Sequence, residues 1–409
     1  MSKKWFIAII GTFTHMLLGT VYAWSFFQTP ITEFTGWSNA QAAWAFSLSI
    51  FMLGLTAAWA GNKMSVSGPR KLAIIGGALY GLGYLISGFA LGHQSLLLLY
   101  LGFGIIGGIG LGFAYVTPVA TVSAWFTEKQ GLATGMVVMG FGFGALVMSK
   151  LLAPIFLTIS DGNLSTTFYY IGLIMIVLIP MLANFLQLPE TEKATKTPQE
   201  KISIAPYIKA KPFIVVWLIF TINIVAGMIF ISFQSPLLQD LLKLRMPAGT
   251  DFSDGRVVAS LAASGATLIA VSSIFNGLGR FVWGAVSDKI GRMATFRILL
   301  ALQAVIFGML IFLSQPLVFS VLVCIVLLSY GGGFGVLPSL TKDMYGSQLM
   351  PSLYGALLTA WGVGGIIGPQ IVAFMKDNYA EKAGLYAFMI GGGLLVVGLV
   401  LSYLYNPKK

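Results

Sequence analysis

Charge, histidine and cysteine are scarce in this chain. Only 9% of its 409 residues are charged, two are histidine and one is cysteine. The single cysteine, Cys324, excludes an internal disulfide and is predicted to be a small core residue. Two histidines, one cysteine and no buried pair of acids cannot supply a catalytic triad or a metal cluster. We therefore predict no enzymatic activity, no cofactor and no metal.

Apolar residues dominate instead. They make up 57% of the chain, whose mean hydropathy is +0.88, and they form twelve runs long enough to cross a bilayer as helices. The weak alternation of a membrane β-barrel is absent, so we predict an all-α polytopic membrane protein with twelve transmembrane helices. The predicted helices span residues 5–27, 40–61, 72–92, 96–120, 131–157, 167–188, 212–233, 257–283, 295–314, 316–336, 352–376 and 385–406. The first run is too long for a signal peptide, and we expect it to remain as a membrane helix.

Basic residues predict the orientation of these helices. If the N-terminus is cytoplasmic, most of the 24 lysines and arginines lie on the cytoplasmic side of the membrane. We therefore predict a multi-pass protein of the inner (plasma) membrane with both termini in the cytoplasm. The net charge of +11 follows from this topology and from contact with anionic lipid, so it does not require a nucleic-acid partner.

A polar interruption divides the helices into two sets of six. We predict that residues 189–211, which carry several lysines and glutamates, form a cytoplasmic linker between an N-terminal bundle, 1–188, and a C-terminal bundle, 212–409. Short matches relate the bundles: residues 27–31 read FQTPI and residues 233–237 read FQSPL, 206 positions later. Three further matches lie 220 to 223 positions apart, and the step between these offsets is one long insertion in residues 234–256. Two parallel six-helix repeats are typical of alternating-access transporters, whose substrate site lies between the repeats.

A loop motif carries a family resemblance. Residues 284–292 read GAVSDKIGR, which resembles the G-x-x-x-D-[RK]-x-G-[RK] signature of the major facilitator superfamily. The fixed positions are Gly284, Asp288, Gly291 and Arg292. The resemblance extends over the whole chain and implies the major facilitator fold, in which the motif acid helps to latch cytoplasmic helix ends together.

The first bundle contains a degraded copy of this motif. Residues 61–70 keep the two glycines of the loop, but Ser65 stands where the acid belongs and Val66 where the base belongs. We therefore expect this bundle to be latched differently, and a tight cytoplasmic turn with positive charge is the favoured interpretation.

Two further segments narrow the resemblance. Residues 125–135 read WFTEKQGLATG and residues 276–280 read NGLGR. They are similar to signatures of the branch that contains monocarboxylate transporters and oxalate/formate antiporters. The resemblance implies a secondary active transporter of small monocarboxylates, such as lactate or pyruvate, that works by proton-coupled symport. An anion exchanger of the oxalate/formate type is the alternative.

Arg280 is the leading candidate for substrate binding. It lies in the apolar run 271–283, where a guanidinium cannot lose its proton and needs a partner, a water-filled cavity or a route to the interface. Asn276, four residues earlier, faces the same side of the helix and could hold a carboxylate together with Arg280. The alternative is that Arg280 extends toward the cytoplasmic headgroups, because Asp288 is only eight residues away. One buried cation favours a monoanion over a dianion.

Aromatic residues supply further candidates. Tyr115 and Tyr330 lie in the fourth and tenth runs and could offer a hydroxyl and an apolar ring to a small hydroxy or keto acid. Tyr22, Trp24 and Trp361 are weaker candidates, for which packing is the favoured interpretation.

His15 is the one histidine inside a predicted span, and its imidazole could carry the coupled proton. A neutral histidine bonded to a neighbouring helix is the favoured alternative. No aspartate or glutamate lies clearly within a span. A cavity with a fixed positive charge selects an anion, which disfavours export of cations.

The chain also departs from the families it resembles. Animal-type monocarboxylate transporters have an acid where Asn276 stands and a lysine close to the position of Phe26, so the details of proton coupling stay open. Oxalate/formate antiporters pair the arginine with a lysine in the eleventh helix, where residues 359–362 read TAWG. A sensor that binds the acid without transport and a sugar carrier are weaker alternatives.

Overall fold

The computed structural model describes residues 2–126, 130–189 and 204–404. Within these residues twelve helices are long and apolar enough to cross a membrane, and no strand occurs. They are α1 Lys3–Thr35, α2 Asn39–Gly61, α3 Pro69–Gly92, α4 Leu96–Trp125, α5 Ala133–Ile159, α6 Leu164–Ala183, α7 Lys211–Lys243, α8 Gly255–Ile290, α9 Arg292–Phe312, α10 Pro316–Gly346, α11 Ser352–Asn378 and α12 Ala380–Leu404. Helical backbone continues to Ser67 after α2 and begins at Gln130 before α5. The predicted helix count is confirmed.

Two helices end earlier in the sequence than predicted. α6 ends at Ala183, whereas the apolar run continues to residue 188, because Leu186 packs beside Ile7 and Phe126 after the helix has ended. α9 ends at Phe312, two residues before the predicted end, because Pro316 begins the next helix and the residue before it is extended. Apolar composition therefore overestimates the length of a helix where the segment that follows it also packs into the core, as at α6. The predicted end at 406 lies outside the described residues.

Helix packing follows the predicted repeat. In the N-terminal bundle α1 packs on α5, α2 on α4 and α3 on α6. In the C-terminal bundle the corresponding pairs, α7 with α11, α8 with α10 and α9 with α12, pack in the same way. The bundles meet along two long contacts, α2 with α11 and α5 with α8. The predicted linker lies mostly outside the described residues, so the boundaries 1–188, 189–211 and 212–409 stay a prediction.

Glycines permit the close approach of helices around the centre. The 3-10 segment Gly19–Ala23 interrupts α1 where it crosses α5. A Cβ at Gly19 would overlap the backbone of Phe141, and a Cβ at Gly144 would overlap the backbone of Gly19. Between the bundles, a Cβ at Gly142 of α5 would lie against the backbone of Gly277 of α8. Backbone contact therefore packs α1 tightly on α5, and at Gly142 it leaves little space between the two bundles.

Because the number of spans is even, Lys3 and Leu404 lie at one end of the molecule, here called the terminal end; the other is the far end. At the far end Asp377 of α11 accepts hydrogen bonds from the backbone N–H groups of Asn39 and Ala40, each 2.8 Å long. The Asn39 Nδ2 also donates to this carboxylate at 3.0 Å. Nearby, the Ser25 hydroxyl accepts a 2.8 Å hydrogen bond from the Ser235 N–H. Direct bonds between the bundles therefore close the far end.

Candidate anion-binding site

Arg280 points into the interior of the protein. The residue is 2% exposed, and among the described residues none of its three guanidinium nitrogens has a hydrogen-bond partner. The ion pairs of the described residues do not include it. This burial argues against the alternative that Arg280 extends toward the headgroups. A buried guanidinium without an anion is an incomplete arrangement, because desolvation of the charge is not offset.

Aromatic rings take the place of an anion beside the guanidinium. The Cζ of Arg280 is 4.7 Å from the ring centroid of Phe334 on α10 and 5.6 Å from that of Phe141 on α5. Cation–π contacts of this kind offset part of the cost of burial. The hydroxyls of Tyr22, Tyr115 and Tyr330 lie within electrostatic reach of the charge. The Tyr115 hydroxyl comes close to the guanidinium without the geometry of a hydrogen bond.

Trp361 of α11 joins these rings into one cluster. Its centroid lies 4.8 Å from Phe334, 5.1 Å from Tyr115 and 5.6 Å from Phe141. Tyr22 of α1 is 6.2 Å from Trp361, and all these residues are fully buried. The structure therefore brings the predicted candidates together around Arg280. We call this set the aromatic enclosure; its members are Tyr22, Tyr115, Phe141, Tyr330, Phe334 and Trp361.

Phe141 and Phe334 are members that sequence reasoning missed. A weak signal exists for both, because Phe141 lies between the motif glycines at 140 and 142, and Phe334 directly follows three glycines. Trp24, in contrast, lies outside the enclosure. Its Nε1 donates to Gln28 at 2.7 Å and its ring packs on Phe103, as the packing interpretation expects.

The two bundles touch inside the enclosure. The hydroxyls of Tyr22 on α1 and Tyr330 on α10 are 2.5 Å apart and form a hydrogen bond. The Tyr115 hydroxyl and the Trp361 Nε1 have no hydrogen-bond partner among the described residues. Tyr115 and Trp361 therefore keep donors available for a bound molecule, and so does whichever of Tyr22 and Tyr330 accepts the bond between them, because that bond uses only one O–H.

Asn276 borders α10 together with Arg280. A Cβ at Gly331 would overlap the backbone oxygen of Asn276, and a Cβ at Gly335 would overlap that of Arg280. The i, i+4 spacing on α8 is thus matched by an i, i+4 pair of glycines on α10. The Oδ1 of Asn276 is buried and has no partner in the described part of the chain. The unused capacity of Arg280 is therefore a set of donors, whereas that of Asn276 at Oδ1 is an acceptor.

His15 lies beside the enclosure. Its ring stacks on Tyr115 with centroids 4.8 Å apart, and its Nε2 is 2.7 Å from the Tyr115 backbone oxygen. A carbonyl oxygen can only accept, so Nε2 carries the hydrogen and donates it. The Nδ1 is buried without a partner among the described residues. The contact with α4 is the one that the neutral-histidine interpretation expects, yet Nδ1 is still free to receive a proton.

The loop motif has its own network at the terminal end. Arg292 Nη1 pairs with Asp288 at 2.6 Å and donates to the Ser287 hydroxyl at 2.5 Å, while Nε lies 3.3 Å from Asp343 of α10. Arg292 therefore links the α8–α9 loop to α10, and Asp288 pairs within its own loop. Gly291 has φ of +91°, a conformation that glycine adopts without strain.

The remaining motif positions are simpler. A Cβ at Gly284 would be in ordinary contact with the backbone of Gly335. In the first-half copy, Gly68 has φ of +75°, as its match to Gly291 suggests. The side chains of Ser65 and Val66 lie outside the described residues, so the expected difference in latching stays a prediction.

Comparison with known proteins assigns the family. The profile of the Major Facilitator Superfamily matches residues 5–369. The chain belongs to the Major Facilitator Superfamily. It is 25% identical over 415 residues to the oxalate:formate antiporter of Oxalobacter formigenes, covering 100% of this chain and 93% of that protein. Human monocarboxylate transporter 11 is 26% identical over 388 residues, covering 90% of this chain and 74% of its own. The predicted family, branch and fold are therefore confirmed.

A solved structure with the same architecture belongs to a nucleoside transporter. The nucleoside transporter NupG superposes with a TM-score of 0.71, at 13% identity, over 98% of this chain and 99% of its own. The chain is thus a multi-pass membrane transporter of the Major Facilitator Superfamily, and the fold alone does not define what it carries.

Proposed function

We propose that this protein carries small monocarboxylates, such as lactate or pyruvate, across the membrane by alternating access and in symport with protons. The observation that carries the proposal is Arg280, a fully buried guanidinium with no anionic partner among the described residues. Residues of both bundles surround it, which is the position that an alternating-access site requires. In the proposed orientation both termini are cytoplasmic and the protein lies in the inner (plasma) membrane.

A carboxylate is the ligand that best completes this site. Arg280 offers a planar fork of donors, and charge-assisted hydrogen bonds to a carboxylate are the strongest that this side chain makes. Asn276 would donate to the same group through its Nδ2 from one helical turn away, because its unpaired Oδ1 can only accept, and the unpaired Tyr115 hydroxyl would donate to a substrate oxygen. The remaining walls are aromatic, which suits a short apolar tail. A single cation in this enclosure favours a monoanion.

Binding changes the charge of the site, and this links binding to movement. The empty site holds an uncompensated cation, whose burial is costly. A bound carboxylate gives Arg280 the anionic hydrogen-bond partner that its guanidinium lacks, so the closed arrangement of the two bundles becomes more favourable when the site is occupied. Rocking of the bundles would then break and re-form contacts such as the Tyr22–Tyr330 hydrogen bond.

His15 is the proposed proton carrier. A proton on Nδ1 would be a second buried positive charge near Arg280 in the empty protein, which desolvation and Coulomb repulsion both disfavour. A bound carboxylate offsets this repulsion, so the acid and the proton would bind more readily together than separately. Such mutual dependence is the requirement for symport.

Exchange is the second candidate function. It is supported by the similarity to the oxalate:formate antiporter, which covers the whole of this chain. The neutralisation of Arg280 would permit one acid to enter while another leaves. A dianion such as oxalate is less well matched, because α11 places Trp361 in the enclosure and residues 359–362 supply no lysine.

Uptake into proteoliposomes tests the proposal. Purified protein is assayed with radiolabelled L-lactate, with and without an inward proton gradient, and with vesicles that are empty or loaded with lactate or oxalate. We expect the gradient to accelerate uptake into empty vesicles. Uptake only into loaded vesicles would instead support exchange, and no uptake under any condition would contradict a monocarboxylate substrate.

Arg280→Gln tests the site itself. Loss of one partner of a buried charge pair costs about 2 kcal/mol or more, so we expect the apparent affinity for lactate to fall about 30-fold or more. Lactate should also raise the Tm of the wild type and not that of the variant, since ligand binding stabilises the folded state. Arg297→Gln is the matched control, because Arg297 donates to the Ser402 backbone oxygen on the distant α9–α12 contact. Unchanged lactate affinity in folded Arg280→Gln would refute the assigned site.

A further inference from the structure

Asn223 of α7 has an unexplained polar side chain. The residue is completely buried, and within the described residues neither its Oδ1 nor its Nδ2 has a hydrogen-bond partner. A buried amide that is left unpaired costs free energy. Such groups are rare in folded proteins, and each one needs an explanation, of which a bound molecule is one. No motif of the sequence includes this residue.

Asn223 faces the helix that supplies two members of the aromatic enclosure. Residues 220, 223 and 227 share one face of α7, because they are three and four positions apart. The ring of Phe220 lies 5.2 Å from that of Phe334, and the ring of Tyr330 rests against Gly227. Asn223 lies between these two contacts, at the level of the enclosure.

Gly333 is what allows the amide to occupy this position. A Cβ at Gly333 would overlap the Oδ1 of Asn223. The next residue along α10 is Phe334, whose ring lies against Arg280. The amide and the guanidinium therefore approach the same short segment of α10, the amide from α7 and the guanidinium from α8.

Other buried polar side chains of α7 are satisfied. The Thr221 hydroxyl donates to the Trp217 backbone oxygen at 2.8 Å, and that of Ser232 to the Met228 backbone oxygen at 2.6 Å. The Gln234 Oε1 accepts a 2.7 Å hydrogen bond from Ser272. The free amide is thus a property of Asn223 and not of α7 as a whole.

We propose that Asn223 is a specificity-determining residue that binds the oxygen on C2 of a 2-hydroxy or 2-oxo monocarboxylate. This inference rests on the proposed function and extends it. Arg280 has donors only, whereas an amide has both a donor and an acceptor. The Oδ1 accepts from the hydroxyl of a hydroxy acid, and the Nδ2 donates to the oxygen of a keto acid. An acid without this oxygen leaves the amide unpaired, so the site discriminates against it.

The test compares L-lactate with propionate, which lacks the C2 hydroxyl. Catalytic efficiencies of uptake (kcat/KM) are measured for both acids in proteoliposomes containing wild type, Asn223→Leu or Asn223→Ser. We expect Asn223→Leu, which keeps the volume and removes the hydrogen bonds, to lower the lactate-to-propionate ratio about tenfold. Asn223→Ser should restore part of the ratio. Thr221→Val is the matched control and should leave the ratio unchanged, because Thr221 already bonds within its own helix.

The results distinguish a failure of the role of Asn223 from a failure of the proposed monocarboxylate transport. An equal decrease for both acids, or no change in the ratio, would show that Asn223 serves packing against α10 and would overturn this inference alone. A wild type that does not distinguish lactate from propionate would do the same. A wild type that transports neither acid would overturn the proposed function and this inference with it. If Asn223→Leu does not fold, the ratio measured with Asn223→Ser decides.

Discussion

At Arg280 a positive charge has aromatic rings on two sides and no anionic partner in the part of the chain that the structure describes. A cation–π contact is worth about 0.5–2 kcal/mol, which is less than the several kcal/mol that burial of an ion costs. The empty site therefore stays destabilised by its own charge. The six members of the aromatic enclosure keep other cations and bulk water away from the guanidinium, so the deficit is left for a substrate anion to satisfy.

Substitution of His15 by glutamine separates proton coupling from substrate binding. The glutamine amide can still donate to the Tyr115 backbone oxygen, but it cannot take up a proton. We expect His15→Gln to lose the acceleration of lactate uptake by a proton gradient and to retain exchange of lactate with lactate. Both rates are measured in proteoliposomes.

The second histidine provides the control for this variant. His93 is exposed at the far end, where its Nδ1 lies 3.0 Å from the Phe89 backbone oxygen, so His93→Gln should keep the gradient effect. Persistent gradient-driven uptake in His15→Gln would assign the proton to another group.

Residues of the site differ in how readily the sequence predicts them. Arg280, Asn276 and the tyrosines could be selected because polar groups are conspicuous in membrane helices. Phe141 and Phe334 could not, because an apolar ring in such a helix has no distinctive pattern and only the three-dimensional contact with Arg280 gives it a role. Asn223 is polar and was still missed, since it lies in no motif and has no charge.

At the scale of helices, the contact between α5 and α8 leaves no space for a larger side chain. A Cβ at Gly142 would lie against the backbone of Gly277, and backbone cannot move aside as a side chain can. We expect Gly142→Ala to reduce lactate uptake about tenfold or more and to lower the stability by about 1–3 kcal/mol. Uptake and thermal unfolding in detergent measure the two effects.

A glycine on the same helix serves as the comparison. A Cβ at Gly135 would meet no atom within 4 Å, so Gly135→Ala should leave both quantities almost unchanged. Normal uptake by Gly142→Ala would mean that transport does not require the tight approach of α5 and α8.

Helix positions could be predicted from the sequence better than helix lengths. Hydropathy locates the part of a helix that fits the bilayer, but α1 continues to Thr35 and α7 to Lys243 through polar residues that the pattern excludes. Local hydrogen bonding decides these ends, as at Gly36, where φ of +71° ends α1. At α6 the predicted helix is too long instead of too short, because Leu186 is apolar and buried without being helical.

At the scale of the molecule, Asp377 joins the two bundles at the far end. Its carboxylate accepts the three hydrogen bonds from Asn39 and Ala40 across the bundles. We expect Asp377→Ala to increase the population that is open at this end about fivefold to tenfold, since hydrogen bonds to a charged group contribute about 1.5 kcal/mol each at the lower end of their range and exposure weakens them.

Distances between spin labels measure this shift. The exposed residues Phe34 and Leu244 lie at the far end of the N-terminal and C-terminal bundles, and labels at Phe34→Cys and Leu244→Cys report their separation. Cys324 is replaced by serine for this purpose. Glu381→Ala removes an exposed acid from the same region and should leave the distribution unchanged. An unaltered distribution in Asp377→Ala would show that other contacts keep the far end closed.

The repeat is the feature of the whole molecule that the sequence predicted well. Matches such as FQTPI and FQSPL relate equivalent positions, and equivalent helix pairs pack together in both bundles. Contacts between the bundles could not be predicted, because residues such as Asp377 and Asn39 have no counterpart that reveals their pairing. In an alternating-access cycle such contacts determine which end of the protein is closed. The sequence pattern therefore predicts the two bundles but not the conformation in which they meet.

The lone charge of Arg280 has an electrical consequence. In the proposed cycle the empty site carries one positive charge; lactate removes it and the proton restores it, so the fully loaded site carries the same charge as the empty one. Membrane voltage acts on such a charge with about 2.3 kcal/mol per 100 mV across the full bilayer. Voltage favours the movement of the loaded site across the membrane in one direction, and it opposes the return of the empty site to the same extent. Voltage therefore affects how fast each half proceeds, while the proton gradient alone determines how much acid accumulates.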